Sequence, residues 1–195
     1  MHTLDHPIAR FEQRFEAARQ AEPCDVTAMS LATSDPDGHP SVRVVLLKNV
    51  TPEGGFDFYT NLRSRKSQQL MANPHAALCF LWMTLGEQVR IEGSVKRLLS
   101  GDEDAYFATR DKGSQLGAWA SKQSQPLSDR DELEQRLTAV RQRFLEGPVP
   151  RPDFWGGYRL MAQRIEFWSA GQDRLHHREL YVRAGLGWQK SLLYP

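Results

Sequence analysis

Arg43, Lys48, Arg65 and Lys66 stand at the edges of one stretch, RVVLLKNVTPEGGFDFYTNLRSRK, residues 43–66. Guanidinium and ammonium groups so gathered suit an anion, a phosphate above all. The apolar runs RVVLLK and FDFYT read as two strands of a hairpin joined by a Pro/Gly turn. Strand alternation can then aim a few polar tips at one point. After Thr60 and Asn61 the chain turns toward a helix that Ser64 is placed to cap. The free N–H groups of its first turn would face whatever Arg65 and Lys66 attract. An ordinary hairpin with solvated charges at its ends accounts for the same residues.

Three further clusters carry chemistry. Tyr106, Arg110 and Ser114 combine a phenol, a guanidinium and a hydroxyl, and the first two are four apart, so a helix puts them on one face. Such a set suits a phosphate ester; a helix surface with a half-buried tyrosine is the plainer alternative. Trp119 to Gln125 (WASKQSQ) is a polar loop behind an aromatic, able to hydrogen-bond a heterocycle or to be solvated. In IEFWSAGQDRLHHR, residues 165–178, Arg174, His176 and Arg178 alternate and would point one way from an extended segment. That patch can bind an anionic ring or serve as acid and base, or it is a basic surface. The chain has no GxGxxG, GxxxxGK[ST], HExxH or GxSxG pattern, and His176-His177 lacks a zinc ligand set.

The elements that must position these groups follow from periodicity. Ile8, Phe11, Phe15 and Ala18 predict a helix over 7–20. Strands are expected at 27–33 and 41–48, paired across the turn Asp35-Pro36-Asp37-Gly38, and at 56–60. A short helix over 64–71 stops at Asn73-Pro74. The continuous apolar run 76–83 predicts a strand buried on both faces, and the alternation of 88–95 a strand with one wet face. Ser100 to Glu103 resembles a capping box opening a helix that carries Tyr106, Phe107 and Arg110. Leu133, Leu137, Val140 and Phe144 form a helical packing stripe behind a weaker capping signal at 128–131, ending near Gly147-Pro148. The tail reads as strands at 157–168, 179–183 and 188–193. Strands joined by tight turns, with helices inserted rather than alternating, point to an antiparallel barrel with flanking helices, mainly β in an α+β arrangement.

The 195 residues balance 25 basic against 24 acidic side chains, a net charge of +1. Neither a nucleic-acid binder nor a membrane-surface protein is implied, so any anion site must be a local cluster. The cysteines Cys24 and Cys79 are far apart and match no metal or redox spacing. No signal-peptide core or membrane-length apolar run occurs. One cytoplasmic domain spanning 1–195, with no metal, is the expectation.

Several segments, in order and spaced over about Thr27 to Trp188, resemble the pyridoxamine/pyridoxine 5′-phosphate oxidase family: RVVLLK, FYTNLRSRK, EQVRIEG, AYFATR with SQLGAWASKQS, FWGGYRL, and IEFW with RLHHR. The resemblance implies an antiparallel FMN-binding split β-barrel and a homodimer with FMN at its interface. Arg43, Val44, Val45, Leu46, Leu47, Lys48, Tyr59, Thr60, Arg65 and Lys66 would hold the flavin. Gln88, Gln123, Ser124, Trp168 and Arg178 would complete its site, partly from the second subunit. Lys48, Tyr106, Arg110 and Ser114 would grip the phosphate of the substrate. Arg174, Leu175 and His176 would lie against its pyridine ring, with Arg174 and His176 as the catalytic residues. The implied reaction is hydride transfer from C4′ of pyridoxine or pyridoxamine 5′-phosphate to FMN, with oxygen reduced to hydrogen peroxide. Three departures stand out: His177 where the family usually has an acid, Leu192 where it has Arg, and a short N-terminal arm. They leave open a sister flavin oxidase of the phenazine-biosynthesis type, or a non-catalytic flavin or pyridoxal phosphate carrier.

Overall fold

The structure is a computed structural model describing residues 6–195; the short arm ahead of His6 lies outside them. Helix α1 (Pro7–Ala21) starts with proline at its first turn and buries Ile8, Phe11 and Ala18. Strands β1 (Ala28–Ser34), β2 (Pro40–Leu46), β3 (Asn49–Val50) and β4 (Gly55–Asn61) follow, then helix α2 (Arg65–Ala72). Strands β5 (His75–Trp82) and β6 (Glu87–Arg97) precede helices α3 (Ser100–Thr109), α4 (Lys112–Ala120) and α5 (Arg130–Arg143). Strands β7 (Trp155–Ser169), β8 (His177–Ala184) and β9 (Gly187–Leu192) close the order. Among the described residues no helix is long and apolar enough to cross a membrane.

All nine strands join one antiparallel sheet in the order β2-β1-β5-β6-β7-β4-β3, with β8 and β9 branching from β7. The branch is possible because β7 is 15 residues long. Its first half pairs with β4 and its second half with β8, while β6 runs along its other edge. The two ends of the main path, β2 and β3, are joined by Leu47 and Lys48 alone, and the Lys48 N–H donates to the Asp57 carbonyl of β4 at 2.9 Å, so the sheet curls into a split barrel. Inside it, Phe11 and Phe15 of α1 pack against Phe56, Phe80 and Trp82. A second apolar cluster, Phe107, Leu116, Val149 and Trp155, lies under α3 and α4.

Four local expectations are corrected. RVVLL and FDFYT are not partners: β2 pairs with β1, and β4 pairs with β7 and the two-residue β3. β5 is not buried on both faces; Leu78, Phe80 and Trp82 are buried, whereas Leu81 is 53% exposed. Ser100 does not cap α3, because Leu99 takes the N-cap position. Glu103 instead turns inward, accepting from Arg97 and from the Gly157 N–H. Finally, α5 ends at Arg143, and its stripe of Leu137, Val140 and Phe144 is only half-buried against the second cluster.

Candidate active site

Most predicted ligand residues face one basin of about 1070 Å³ between β2, β4 and helices α2 to α4. Arg43, Val44, Val45, Leu46 and Lys48 line it from β2 and the residues after it. Tyr59, Thr60, Arg65 and Lys66 come from β4 and α2, and Gln123 and Ser124 from the loop after α4. Tyr106, Arg110 and Ser114 complete it. Leu47 does not belong, since it is buried in the barrel core.

The basin is strongly cationic, with Asp111 the one carboxylate on its lining. None of Arg43, Lys48, Arg65, Lys66 and Arg110 makes an ion pair among the described residues, although ion pairs elsewhere in the fold are numerous. Arg43 is held by neutral oxygens, donating to the Leu31 carbonyl at 3.0 Å and to Thr33 Oγ1 at 2.6 Å. Buried Lys66 donates to Gln123 Oε1 at 2.7 Å, Thr60 Oγ1 at 3.0 Å and Ser64 Oγ at 3.3 Å. Ser64 thus occupies the N-cap position of α2 without bonding a helix N–H through its side chain. Burial, and then the Arg43 charge, pull the Lys66 ammonium down to about 8. Burial also lowers Arg43 and Arg110. Three desolvated cations, Arg43, Lys66 and Arg110, none of them in an ion pair, fit an anionic ligand.

This yields a pH prediction. With a pKa of about 8, Lys66 is protonated at pH 7 and mostly neutral at pH 9.5. A bound phosphate favours the ammonium, so binding at the higher pH must take up a proton. FMN affinity is therefore expected to fall as pH rises from 7 to 9.5, and to stay flat in Lys66→Met. Fluorescence titration across that range measures it; an equal slope in both proteins would assign the effect elsewhere.

Arg110 sits differently from expectation. It is not on the Tyr106 helix face but at the break after α3, in extended backbone. Ser114 belongs to α4, whose N-terminus Asp111 caps by accepting from the Ser114 N–H. The break still brings all three into the basin. The Arg110 guanidinium lies 4.9 Å from the Trp155 ring centroid, and its buried Nη1 has no hydrogen-bond partner. Tyr59 stacks on Tyr106 at 4.1 Å and on Trp155 at 5.2 Å. Gly157 permits this, because a Cβ there would meet the Tyr59 ring at 2.8 Å. Burial, with Asp57 second, raises the Tyr59 phenol to about 12, so it remains a donor.

Gln88, Trp168 and Arg178 do not reach the basin. They line a separate cleft of about 350 Å³ with His176, His177 and Leu192. Strand register explains their company: Leu81 pairs with Gln88, Gln88 with Trp168, and Trp168 with Arg178. Paired residues share a sheet face, so the four form one row. Arg174 and Leu175 line neither cleft. The expected alternation of Arg174 with His176 fails because Arg174 lies in a 3-10 turn with φ 65°. Among the described residues, Ser124, Asp173 and Arg174 are the non-glycine residues with positive φ. Two of them, Ser124 and Arg174, are among the expected site residues.

Residues 15–144 match the family model described as pyridoxamine 5′-phosphate oxidase. Residues 155–195 match one described as the pyridoxine 5′-phosphate oxidase C-terminal dimerisation region. The chain belongs to the pyridoxamine 5′-phosphate oxidase family. A member from Myxococcus xanthus, named pyridoxine/pyridoxamine 5′-phosphate oxidase, is 53% identical over 97% of this chain and 91% of its own length. One of the same name from Rubrobacter xylanophilus is also 53% identical, over 97% and 87%. Among solved structures, PhzG from Burkholderia lata 383, in complex with tetrahydrophenazine-1-carboxylic acid, aligns with a TM-score of 0.92 at 30% identity, covering 100% of this chain and 98% of that one. A related protein from Nostoc punctiforme (TM-score 0.76, 18% identity, 100% and 98% covered) shares the split-barrel fold.

Asn61, Asp111 and Trp155 also line the basin and were not among the expected ligand residues, whereas Ser121 comes from the WASKQSQ loop already singled out. Asn61 donates to the Ser121 carbonyl at 3.4 Å, tying β4 to the loop that carries Gln123. Trp155 stood in the legible FWGGYRL segment, but only the packing reveals that it backs both Arg110 and Tyr59.

Proposed function

We propose that the chain is an FMN-dependent oxidase of pyridoxine and pyridoxamine 5′-phosphate, acting as a homodimer with a flavin site shared between subunits. The observation that carries the reading is the basin itself, which holds more unpaired cations than one phosphate needs. Arg43, Arg65 and Lys66 form one group near Gln123 and Ser124. Lys48, Tyr106, Arg110 and Ser114 form the other, with the Lys48 ammonium 6.0 Å from the Tyr106 ring. The first group suits the flavin phosphate and the second a substrate phosphate ester. When bound, FMN supplies the two-electron acceptor that takes hydride from the substrate and passes the electrons to oxygen. The chain's own work is orientation: two phosphate anchors set the rings in register. His176 would meet the substrate from the second cleft and bond the ring hydroxyl, and Arg174, in the turn just before it, would orient the substrate.

Sharing between subunits is supported by the division into two clefts with no lining residue in common. It is supported too by exposed Val42, Val44, Leu46 and Leu81 on the sheet, and by the dimerisation region the chain matches. An apolar face of this kind calls for a partner.

The test is a visible spectrum of the purified protein, followed by pyridoxine 5′-phosphate in air. Bound flavin, an aldehyde product and peroxide are expected together, with unphosphorylated pyridoxine turned over poorly. A carrier would leave the flavin oxidised under anaerobic addition of substrate. The phenazine-type reading is weaker here, because a tricyclic carboxylate carries no phosphate ester for Lys48, Tyr106, Arg110 and Ser114 to grip. Arg110→Ala is expected to keep its flavin and raise KM for the phosphorylated substrate about 30-fold or more, the size of a lost charge-assisted hydrogen bond. Steady-state kinetics check this, and unchanged KM would remove Arg110 from the clamp.

A further inference from the structure

We propose that Glu166 is a positioning residue of the flavin site, acting through Arg178. The inference rests on the reading of Gln88, Trp168 and Arg178 as a flavin half-site. Glu166 projects from β7 three residues before its end and is only 4% exposed. A buried carboxylate is tolerated when it is paired and hydrogen-bonded. This one serves two strands at once. Its Oε1 accepts from Arg178 Nε of β8 at 2.8 Å, and its Oε2 lies 2.9 Å from Arg90 Nη2 of β6. Arg90 is the register partner of Glu166, whereas Arg178 pairs with Trp168 one pleat along. Register already sets Arg178 in the Gln88–Trp168 row, and the carboxylate, reaching diagonally from the next row, fixes how its guanidinium lies there.

The remaining donors of Arg178 show what this does. Nη1 donates to the Tyr194 carbonyl at 3.0 Å. Nη2 has no hydrogen-bond partner among the described residues. A guanidinium is a rigid planar fork, so fixing Nε and Nη1 fixes where Nη2 points. Glu166 and the Tyr194 carbonyl thus fix the plane of the fork and leave one amino group, Nη2, unspent. A neutral amide at 166 cannot replace the carboxylate, since only its oxygen accepts and its nitrogen would oppose a second donor. One of the two arginines is then released.

The experiment measures FMN affinity of the apoprotein by flavin fluorescence quenching, with visible circular dichroism of the bound flavin as a second readout. Glu166→Gln is expected to weaken FMN about tenfold and to alter the dichroism, as loss of one charge-assisted contact would. In an Arg178→Met background the same change should add less than about twofold, because the two residues act as one unit. Arg90→Met, which leaves the Arg178 contact in place, should bind FMN within about twofold of the parent even where it lowers Tm. Parent-like affinity in Glu166→Gln, or losses that add in the double variant, would overturn the inference. So would an Arg90→Met loss as large as that of Glu166→Gln, which would mean disturbed strands rather than a misdirected Arg178. Should Glu166→Gln not fold, Glu166→Asp takes its place, its shorter side chain being unable to span both arginines. If Arg178→Met alone binds FMN like the parent, it is the half-site reading that fails.

Discussion

Lys66→Met is expected to purify almost colourless and yet to melt no earlier than the parent apoprotein. The methionine keeps most of the aliphatic stem, so it opens no large cavity beneath α2. What it removes is a buried ammonium held by Thr60, Ser64 and Gln123 with no carboxylate beside it. In the empty protein that charge is a burden, since burial already pulls its pKa down to about 8. Below that pH the folded state holds a proton it binds less tightly than the unfolded chain does, so stability is forfeited there and regained as pH rises. Removing the group should leave apoprotein stability at neutral pH equal or higher. Flavin binding moves the other way, because the ammonium is a charge-assisted donor worth about 2 kcal/mol or more to a phosphate, some 30-fold in Kd. Differential scanning of the apoprotein and an FMN titration measure the two effects side by side. A yellow variant would remove Lys66 from the flavin site, and a colourless but unstable one would make it structural.

Lys66→Met and Arg178→Met, each nearly inactive alone, are expected to restore activity when produced together. The two lesions lie in different clefts of one chain. If each flavin site takes its basin from one subunit and its Gln88–Trp168–Arg178 row from the other, a mixed dimer concentrates both lesions in one site. The second site is then intact. Random pairing makes about half of the dimers mixed, so about a quarter of the parent sites return. Bound flavin per protomer and the rate of pyridoxal 5′-phosphate formation should both recover by that fraction. No recovery, with mixed dimers demonstrated by differently tagged subunits, would place both clefts in the service of a single chain.

Much of this molecule is written in short-range pattern. Ile8, Phe11 and Ala18 at helical spacing specify α1, and the alternation of Gln88 to Val95 specifies β6, because each depends on residues at most four apart. The basic edges of the 43–66 stretch and the Tyr106–Ser114 set were likewise visible as chemistry, and both do line the basin. The break at Arg110 was harder to see. Helical spacing runs on from Tyr106, and only the Asp111 cap on the Ser114 N–H interrupts it.

What the linear pattern left undecided was which residues meet. Gln88 lies in sequence between Lys66 and Gln123, yet it joins neither; register across β6, β7 and β8 sends it to Trp168 and Arg178. RVVLL lies beside FDFYT in sequence, yet β1 and β7 claim the two runs as partners. Residue types, spacing and order thus determined the elements and the kinds of ligand they can hold. Division of the candidate site residues between two clefts was settled by tertiary structure alone. Strand order and register depend on packing between side chains as much as a hundred residues apart, and no periodicity within a single segment carries that information.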